Sequence, residues 1–284
     1  MLILDGKKVS EHLKNQLKAR VDDFKKQYGK APLLKVIIVG QDKASQVYVR
    51  NKHLACEKIG MKSEILELPA SLTEEQLVQE IHKLNRDPQV DGILVQLPVP
   101  KAISTEAIFK SISSEKDADG ITFFSTGLLW SGVNHVFPCT PSGVIKILKY
   151  YNIPIKGQRA TVIGRSQIVG KPMAALLLNE NATVTIAHSG TKDLQEITKT
   201  SDIVVVAAGK PNFFGAEYFS EKSVVVDVGI HGTGSGKLCG DVNFAQVSGK
   251  VSAITPVPGG VGPMTIACLL ENTLELAIKR KRHG

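Results

Sequence analysis

Residues Ala160-Thr161-Val162-Ile163-Gly164-Arg165-Ser166-Gln167-Ile168-Val169-Gly170-Lys171-Pro172 read as a buried strand that breaks at one glycine and enters a helix through another. Glycine at such a bend lets the backbone approach a pyrophosphate, and the free N–H groups at the helix start add donors and a favourable dipole. Pro172 is tolerable in the first helical turn, where its missing N–H costs little. The spacing departs from Gly-x-Gly-x-x-Gly, because five residues separate Gly164 from Gly170. A purely structural strand-to-helix turn would use the same residues.

The following segments fit the nucleotide-binding reading. Short β-branched runs at 161–164, 183–187, 203–207 and 224–228 are each bounded by Gly, Asp or Ser, as buried strands of a parallel sheet are. The second run ends in Ala187-His188-Ser189-Gly190, about twenty residues past the first glycine, where an NAD-specific protein commonly places an acid for the ribose 2′-hydroxyl. No acid stands there. Ser189, with Arg165 brought near by such a fold, suits a 2′-phosphate, so NADP is the expected cofactor. His188 is expected to be a packing residue. Ala207-Ala208-Gly209-Lys210-Pro211 and Asp227-Val228-Gly229-Ile230 end strands at the same carboxyl edge, and Ile230 is expected to line the nicotinamide side.

Ahead of this block lies a first series of alternating elements. A helix is expected over 10–28, strands over 34–39, 63–68 and 92–97, a helix ending at Gly60, and a helix over 73–85 capped by Ser71 or Thr73. A less regular stretch, 117–141, separates the two blocks, and an amphipathic helix over 264–279 follows a Gly- and Pro-rich loop. The fold class is therefore α/β: two α/β domains, the second Rossmann-like with a mainly parallel sheet. Within the first block, Ser45, Tyr48 and Lys52 share one helix stripe. A lysine held beside an aromatic hydroxyl can have its pKa lowered by partial burial and shuttle protons near neutral pH, although the same spacing recurs on solvated helix faces.

Composition narrows the function classes. At 284 residues with 43% hydrophobic content the chain suits two ordinary domains, and no apolar run approaches the ~20 residues of a membrane helix. The N-terminal Met1-Leu2-Ile3-Leu4-Asp5-Gly6-Lys7-Lys8 lacks the pattern of a secretory signal, so a cytoplasmic location is expected. The four cysteines form no Cys-x-x-Cys pair, and neither a metal site nor a disulfide framework is expected. The formal net charge of +8 is diffuse apart from Lys279-Arg280-Lys281-Arg282-His283, which ends a helix where cations suit the dipole. Without aromatic-rich strands, a helix-turn-helix or zinc spacing, nucleic acid is not an expected partner.

Longer stretches resemble one family: Tyr48-Val49-Arg50-Asn51-Lys52, Asp91-Gly92-Ile93-Leu94-Val95-Gln96-Leu97-Pro98-Val99-Pro100, Lys116-Asp117-Ala118-Asp119-Gly120, Pro138-Cys139-Thr140-Pro141-Ser142-Gly143, Gly164-Arg165-Ser166, and Thr255-Pro256-Val257-Pro258-Gly259-Gly260-Val261-Gly262-Pro263-Met264-Thr265. In order and spacing they are similar to the bifunctional methylenetetrahydrofolate dehydrogenase/methenyltetrahydrofolate cyclohydrolases over nearly the whole chain. The resemblance implies a folate-binding catalytic domain over 1–120 plus 264–284 and an NADP-binding domain over 121–263, with a cleft between them. It also implies a homodimer, and NADP-dependent oxidation of 5,10-methylenetetrahydrofolate followed by hydrolysis to 10-formyltetrahydrofolate. Such an enzyme serves one-carbon metabolism, and through it purine and amino-acid biosynthesis, and its partners are tetrahydrofolate derivatives, polyglutamylated forms included.

Residue by residue, the resemblance makes Lys52 the acid/base, Gln96 the group that orients it, Tyr48 the ring that packs on the folate, and Asp119 the carboxylate that reads the pterin N–H groups. Ser45, Pro98, Pro258, Gly259 and Gly260 are implied as further substrate contacts, and Gly164, Arg165, Ser166, Ser189 and Ile230 as cofactor contacts. In one departure, Gly190 stands where relatives carry Arg or Lys after the His-Ser pair, which removes a potential cation for the 2′-phosphate. A monofunctional dehydrogenase is the nearest competing reading, and Lys52 argues against it. Another NADP oxidoreductase of small carbonyl compounds is a further alternative, since such folds host many chemistries.

Overall fold

The computed structural model describes residues 1–133, 135–233 and 236–283, the side chains of Lys43, Ala44 and His283 apart. The chain opens with strand β1 (Leu2–Ile3) and helix α1 (Gly6–Tyr28), then β2 (Leu33–Val39), α2 (Lys43–Lys58), β3 (Lys62–Leu68), α3 (Glu74–Arg86) and β4 (Gly92–Val95). Short helices α4 (Thr105–Ser111) and α5 (Phe123–Trp130) lead to α6 (Cys139–Tyr150). Next come β5 (Arg159–Ile163), α7 (Gly170–Asn179), β6 (Thr183–Ala187), α8 (Leu194–Lys199), β7 (Ile203–Val206) and β8 (Val224–Asp227). The hairpin strands β9 (His231–Gly232) and β10 (Leu238–Cys239), α9 (Phe244–Val247), β11 (Ala253–Ile254) and α10 (Val261–His283) complete the chain.

Two compact units result, Met1–Glu11 with Pro138–Thr265, and His12–Phe137 with Ile266–Gly284. In the unit that begins at His12, β3-β2-β4 form a parallel three-stranded sheet. The central strand β2 is almost wholly buried, which is why it reads as a continuous apolar run, whereas edge strand β3 alternates with exposed polar residues. Leu77 and Ile81 of α3 pack with Ile37, Ile93 and Ile108 into its core. Thr73 caps α3 through a reciprocal pair of bonds with Gln76, which selects Thr73 over Ser71 as the helix start. Strand β4 stops at Val95, short of the expected residue 97; Gln96 N–H still donates to Ile37 O, and Pro98 and Pro100 keep the ladder from running on beyond.

Helix α4 was not foreseen, and α5 and the start of α6 lie in the stretch expected to be irregular. Both α4 and α5 are set by a single hydroxyl cap, Ser104 or Thr122, on fewer than nine helical residues, too short for periodicity to register. Helix α10 is long and apolar enough by length and composition to cross a membrane, but 61% of that window is buried inside the protein, as in a core helix.

The other unit carries a six-stranded parallel sheet in the order β1-β11-β8-β7-β5-β6. The first strand of the chain thus pairs with β11 rather than with the three-stranded sheet. From β5 the chain steps outward to β6 and then returns to the opposite side of β5 as β7, so the order reverses between β5 and β7. A crevice at such a reversal is where open α/β sheets bind ligands. Gly164 sits there with φ +135°, and a Cβ on it would lie 2.2 Å from the Ala207 carbonyl oxygen at the end of β7. Only glycine satisfies both the backbone conformation and that approach. Gly164→Ala should therefore cost about 3 kcal/mol through strain and overpacking, read as a lowered urea midpoint at unchanged slope.

Candidate active site

In the unit holding the three-stranded sheet, Asp42 caps α2 by accepting the Ser45 N–H at 2.7 Å. The Ser45 hydroxyl and N–H together hold the Asp42 carboxyl below its ordinary range. Ser45, expected to meet substrate, is buried at the root of its helix and serves this cap. One turn further on, Tyr48 is 37% exposed, and burial of the remainder raises its phenol pKa, so it stays a neutral hydroxyl at pH 7. Lys52 follows on the same face with only 9% of its surface accessible.

Lys52 Nζ donates to Gln96 Oε1 at 2.8 Å. Gln96 is itself fixed: its N–H donates to Ile37 O at 2.8 Å, continuing the β2–β4 ladder, and its Nε2 donates to Leu97 O at 2.5 Å. With Nε2 committed to a carbonyl, the amide can only present its oxygen to the lysine. A flexible four-carbon stem is thereby held in one direction, which is what proton transfer to a positioned ligand requires. Pro98, two residues beyond, is exposed on the same segment. Asp119 is partly exposed at a turn between the buried Asp117 and Gly120, whose φ of +70° suits glycine.

The other expected residues lie in the six-stranded unit. Arg165, Ser166 and Ser189 are exposed at the carboxyl ends of β5 and β6. Ser166 Oγ accepts Val169 N–H at 3.3 Å and Gly170 N–H at 3.2 Å, tying down the turn between Gly164 and α7. The turn carrying Ser189 is closed by Thr191 Oγ1, which accepts His188 N–H at 2.9 Å, and by His188 Nδ1, which accepts Gly190 N–H at 3.1 Å. Ile230 is 40% exposed after β8, and a Cβ on Gly262 would stand 3.3 Å from its Cδ1. Pro258 is exposed, while Gly259 and Gly260 are buried against the start of α1, where a Cβ on Gly6 would fall 1.8 Å from Gly260 O.

Three buried aspartates were missed by the sequence reading. Asp117 gathers Gly120 N–H, Ile121 N–H, Thr122 N–H and the Ser125 hydroxyl. Asp241 accepts Ala208, Gly209 and Lys210 N–H at 2.7–2.9 Å and His231 Nε2 at 2.7 Å, fixing the loop after β7. Asp227 accepts the Gly229, Asp241 and Val242 N–H groups. For Asp117 and Asp227 the sequence signal is an Asp shortly before a Gly, the mark of a side chain that bonds its own following backbone, whereas Asp241 holds a loop 31–33 positions away and has no local signal.

An open parallel sheet with a glycine approach at its reversal point, paired with a unit that holds an oriented buried lysine, defines a dinucleotide-binding α/β enzyme. The comparisons make this specific. Residues 4–119 match the tetrahydrofolate dehydrogenase/cyclohydrolase catalytic domain, and residues 138–281 match the NAD(P)-binding domain of the same family. The chain is 56% identical over 283 residues to a protein of Bdellovibrio bacteriovorus named bifunctional protein FolD, covering 99% of this chain and 98% of that one. It superimposes with a TM-score of 0.95 on the FolD methylenetetrahydrofolate dehydrogenase/cyclohydrolase of Campylobacter jejuni, at 48% identity and 99% coverage of both chains. The Trypanosoma brucei FolD, solved with NADP and an inhibitor, gives 0.94 at 39% identity, covering 100% of this chain and 99% of that one. The chain belongs to the tetrahydrofolate dehydrogenase/cyclohydrolase family.

Burial pushes the Asp227 carboxyl up to about 6, partly opposed by its three N–H donors and reinforced by the charge of Asp241. A carboxyl whose folded pKa is raised contributes stability that is full below its unfolded pKa and is lost as pH rises through its folded value. A carboxyl ¹³C titration of Asp227 is accordingly expected to show a midpoint near 6, and the stability of the wild type relative to Asp227→Asn should rise as pH falls from 7 towards 4. A midpoint near 4 would mean that the carboxylate is solvated.

Proposed function

We propose that this protein is a bifunctional enzyme of one-carbon metabolism that oxidises 5,10-methylenetetrahydrofolate to 5,10-methenyltetrahydrofolate with NADP and then hydrolyses it to 10-formyltetrahydrofolate. The observation that carries the reading is the Lys52–Gln96 hydrogen bond, which presents a buried, oriented amine. NADP, when bound, takes the hydride leaving C1 of the substrate. The residues fit this group: Gly164 brings the turn after β5 close against the end of β7 with no side chain between, and Arg165, Ser166 and Ser189 are exposed at the carboxyl ends of β5 and β6, which supports the reading.

The hydride step needs no protein nucleophile, only positioning. Hydrolysis needs proton movement: water adds to C1 and loses a proton, the ring nitrogen is protonated as its bond to C1 breaks, and the C1 hydroxyl gives up its proton as the formyl C=O forms, for a net release of one proton. Lys52 Nζ serves as the group that moves these protons, held in direction by Gln96. Tyr48 packs on the folate ring and Asp119 accepts the pterin amino and ring N–H donors, a match of paired donors to a carboxylate. Ser45 supports the helix start and contacts the substrate beside Tyr48, and Pro98, Pro258, Gly259 and Gly260 supply flat backbone contacts to the substrate. Arg165 and Ser189 receive the 2′-phosphate, Gly164 and Ser166 contact the cofactor at the turn after β5, and Ile230 lines the nicotinamide. We read the enzyme as a cytoplasmic homodimer, joined at an edge strand of the cofactor unit or a nearby hairpin, that feeds purine and amino-acid biosynthesis.

Two measurements test this reading. In Lys52→Met, cyclohydrolase turnover should fall by about 10²-fold or more, the scale of a lost general acid/base, while NADP reduction falls less. Full hydrolysis by that variant would remove Lys52 from the mechanism. The ratio of kcat/KM for NADP to that for NAD should stay well above one despite Gly190, and a ratio near unity would overturn the cofactor preference.

A further inference from the structure

We propose that Asp117 is a positioning residue for substrate recognition, acting through Asp119 by holding the loop that presents it. The inference deepens the reading of Asp119 as the pterin contact and rests on it. Asp117 is fully buried, and its backbone bridges Ile93 in parallel register, which fixes it to β4. Its Oδ1 accepts Gly120 N–H at 2.9 Å and Ile121 N–H at 3.2 Å, and its Oδ2 accepts Thr122 N–H at 2.8 Å and the Ser125 hydroxyl at 2.7 Å. The three successive N–H groups after Asp119 are thus drawn onto one carboxylate.

The residue before Asp119 is held as firmly. Ala118 is fully buried, its carbonyl accepts Asn272 Nδ2 from α10 at 2.9 Å, and a Cβ on Gly92 would come within 3.0 Å of its side chain. Asp119 is left partly exposed between two immobilised neighbours.

This exceeds what a turn or a helix cap needs. One side-chain bond closes an Asx turn, and Thr122 already caps α5. Burying a carboxylate is costly unless several donors compensate, and four do so here. What the arrangement yields is a backbone held closely on both sides of a carboxylate that must meet two N–H donors at once, a geometry with little tolerance for displacement.

The test is a double-mutant cycle on the full-length protein, reading the Kd of tetrahydrofolate by anaerobic calorimetry in wild type, Asp117→Asn, Asp119→Ala and the double variant. Asn keeps the shape but turns an NH2 group towards one pair of donors. Asp117→Asn is expected to weaken tetrahydrofolate binding about tenfold, to leave the NADP Kd within about twofold, and to add less than about twofold once Asp119 is gone. If Asp117→Asn does not fold, Ser125→Ala is read in the same two backgrounds, with about a threefold effect expected for one lost donor. An unchanged Kd in Asp117→Asn, or a loss that persists undiminished in the Asp119→Ala background, overturns the positioning role. Unchanged binding in Asp119→Ala alone overturns the pterin reading of Asp119, and the inference with it.

Discussion

The hydrogen bond from Lys52 Nζ to Gln96 Oε1 joins the middle of α2 to the residue that follows β4, and the candidate chemistry depends on it. Neither side chain could provide that chemistry alone. A lysine stem samples many rotamers in water, and ordering it costs rotamer entropy that a fixed acceptor offsets only if the acceptor itself does not move. Gln96 does not move freely: its backbone belongs to the sheet, and its amide nitrogen is spent on Leu97 O. The direction of the amine is therefore inherited from the parallel ladder between β2 and β4. The order of causes runs from a buried apolar strand to a fixed amide and then to an oriented amine.

A second constraint recurs at the carboxyl ends of strands in both units. Loops that leave a parallel sheet carry successive unpaired N–H groups, and burying them requires an acceptor with several lone pairs. Asp227 and Asp241 meet this need after β8 and β7, taking N–H groups from residues that follow those strands, and Asp117 does the same for the turn that follows its bridge to β4. The cost differs with the setting: burial, with the charge of Asp241 beside it, pushes the Asp227 carboxyl up to about 6, while its three N–H donors pull the other way. Gly164 complements these anchors by letting the turn after β5 lie against the end of β7 without a side chain between them.

The parts of this design that repeat were legible in the sequence. The continuous β-branched run Ile203–Val206 marks a buried parallel strand, whereas Thr183–Ala187, expected to be buried as well, is an edge strand exposed along most of its length, and the long helices follow from amphipathic spacing with recognisable stops such as Gly60. Lys52 and Gln96 could be named as partners only through the resemblance, since 44 positions separate them. What escaped was short or non-local. Helices α4 and α5 hang on single caps, and β1 and β11 are two residues each and exist only by pairing across the chain. Asp117 and Asp227 escaped because a carboxylate that folds back on its own loop looks in sequence like any turn residue, and Asp241 because the loop it holds is 31–33 positions away. Ser45 shows that one residue can serve twice: it is read from its place on the Tyr48–Lys52 stripe, and its hydroxyl also supports Asp42 at the helix start, which the sequence did not reveal.

The decisive measurement is a crystal structure of the protein with NADP and a tetrahydrofolate analogue bound. Lys52 Nζ is expected within hydrogen-bonding distance of the atoms at or beside C1, with its bond to Gln96 Oε1 kept. A lysine turned into bulk solvent, away from the analogue and released from Gln96, would contradict the assignment of the chemistry to this pair.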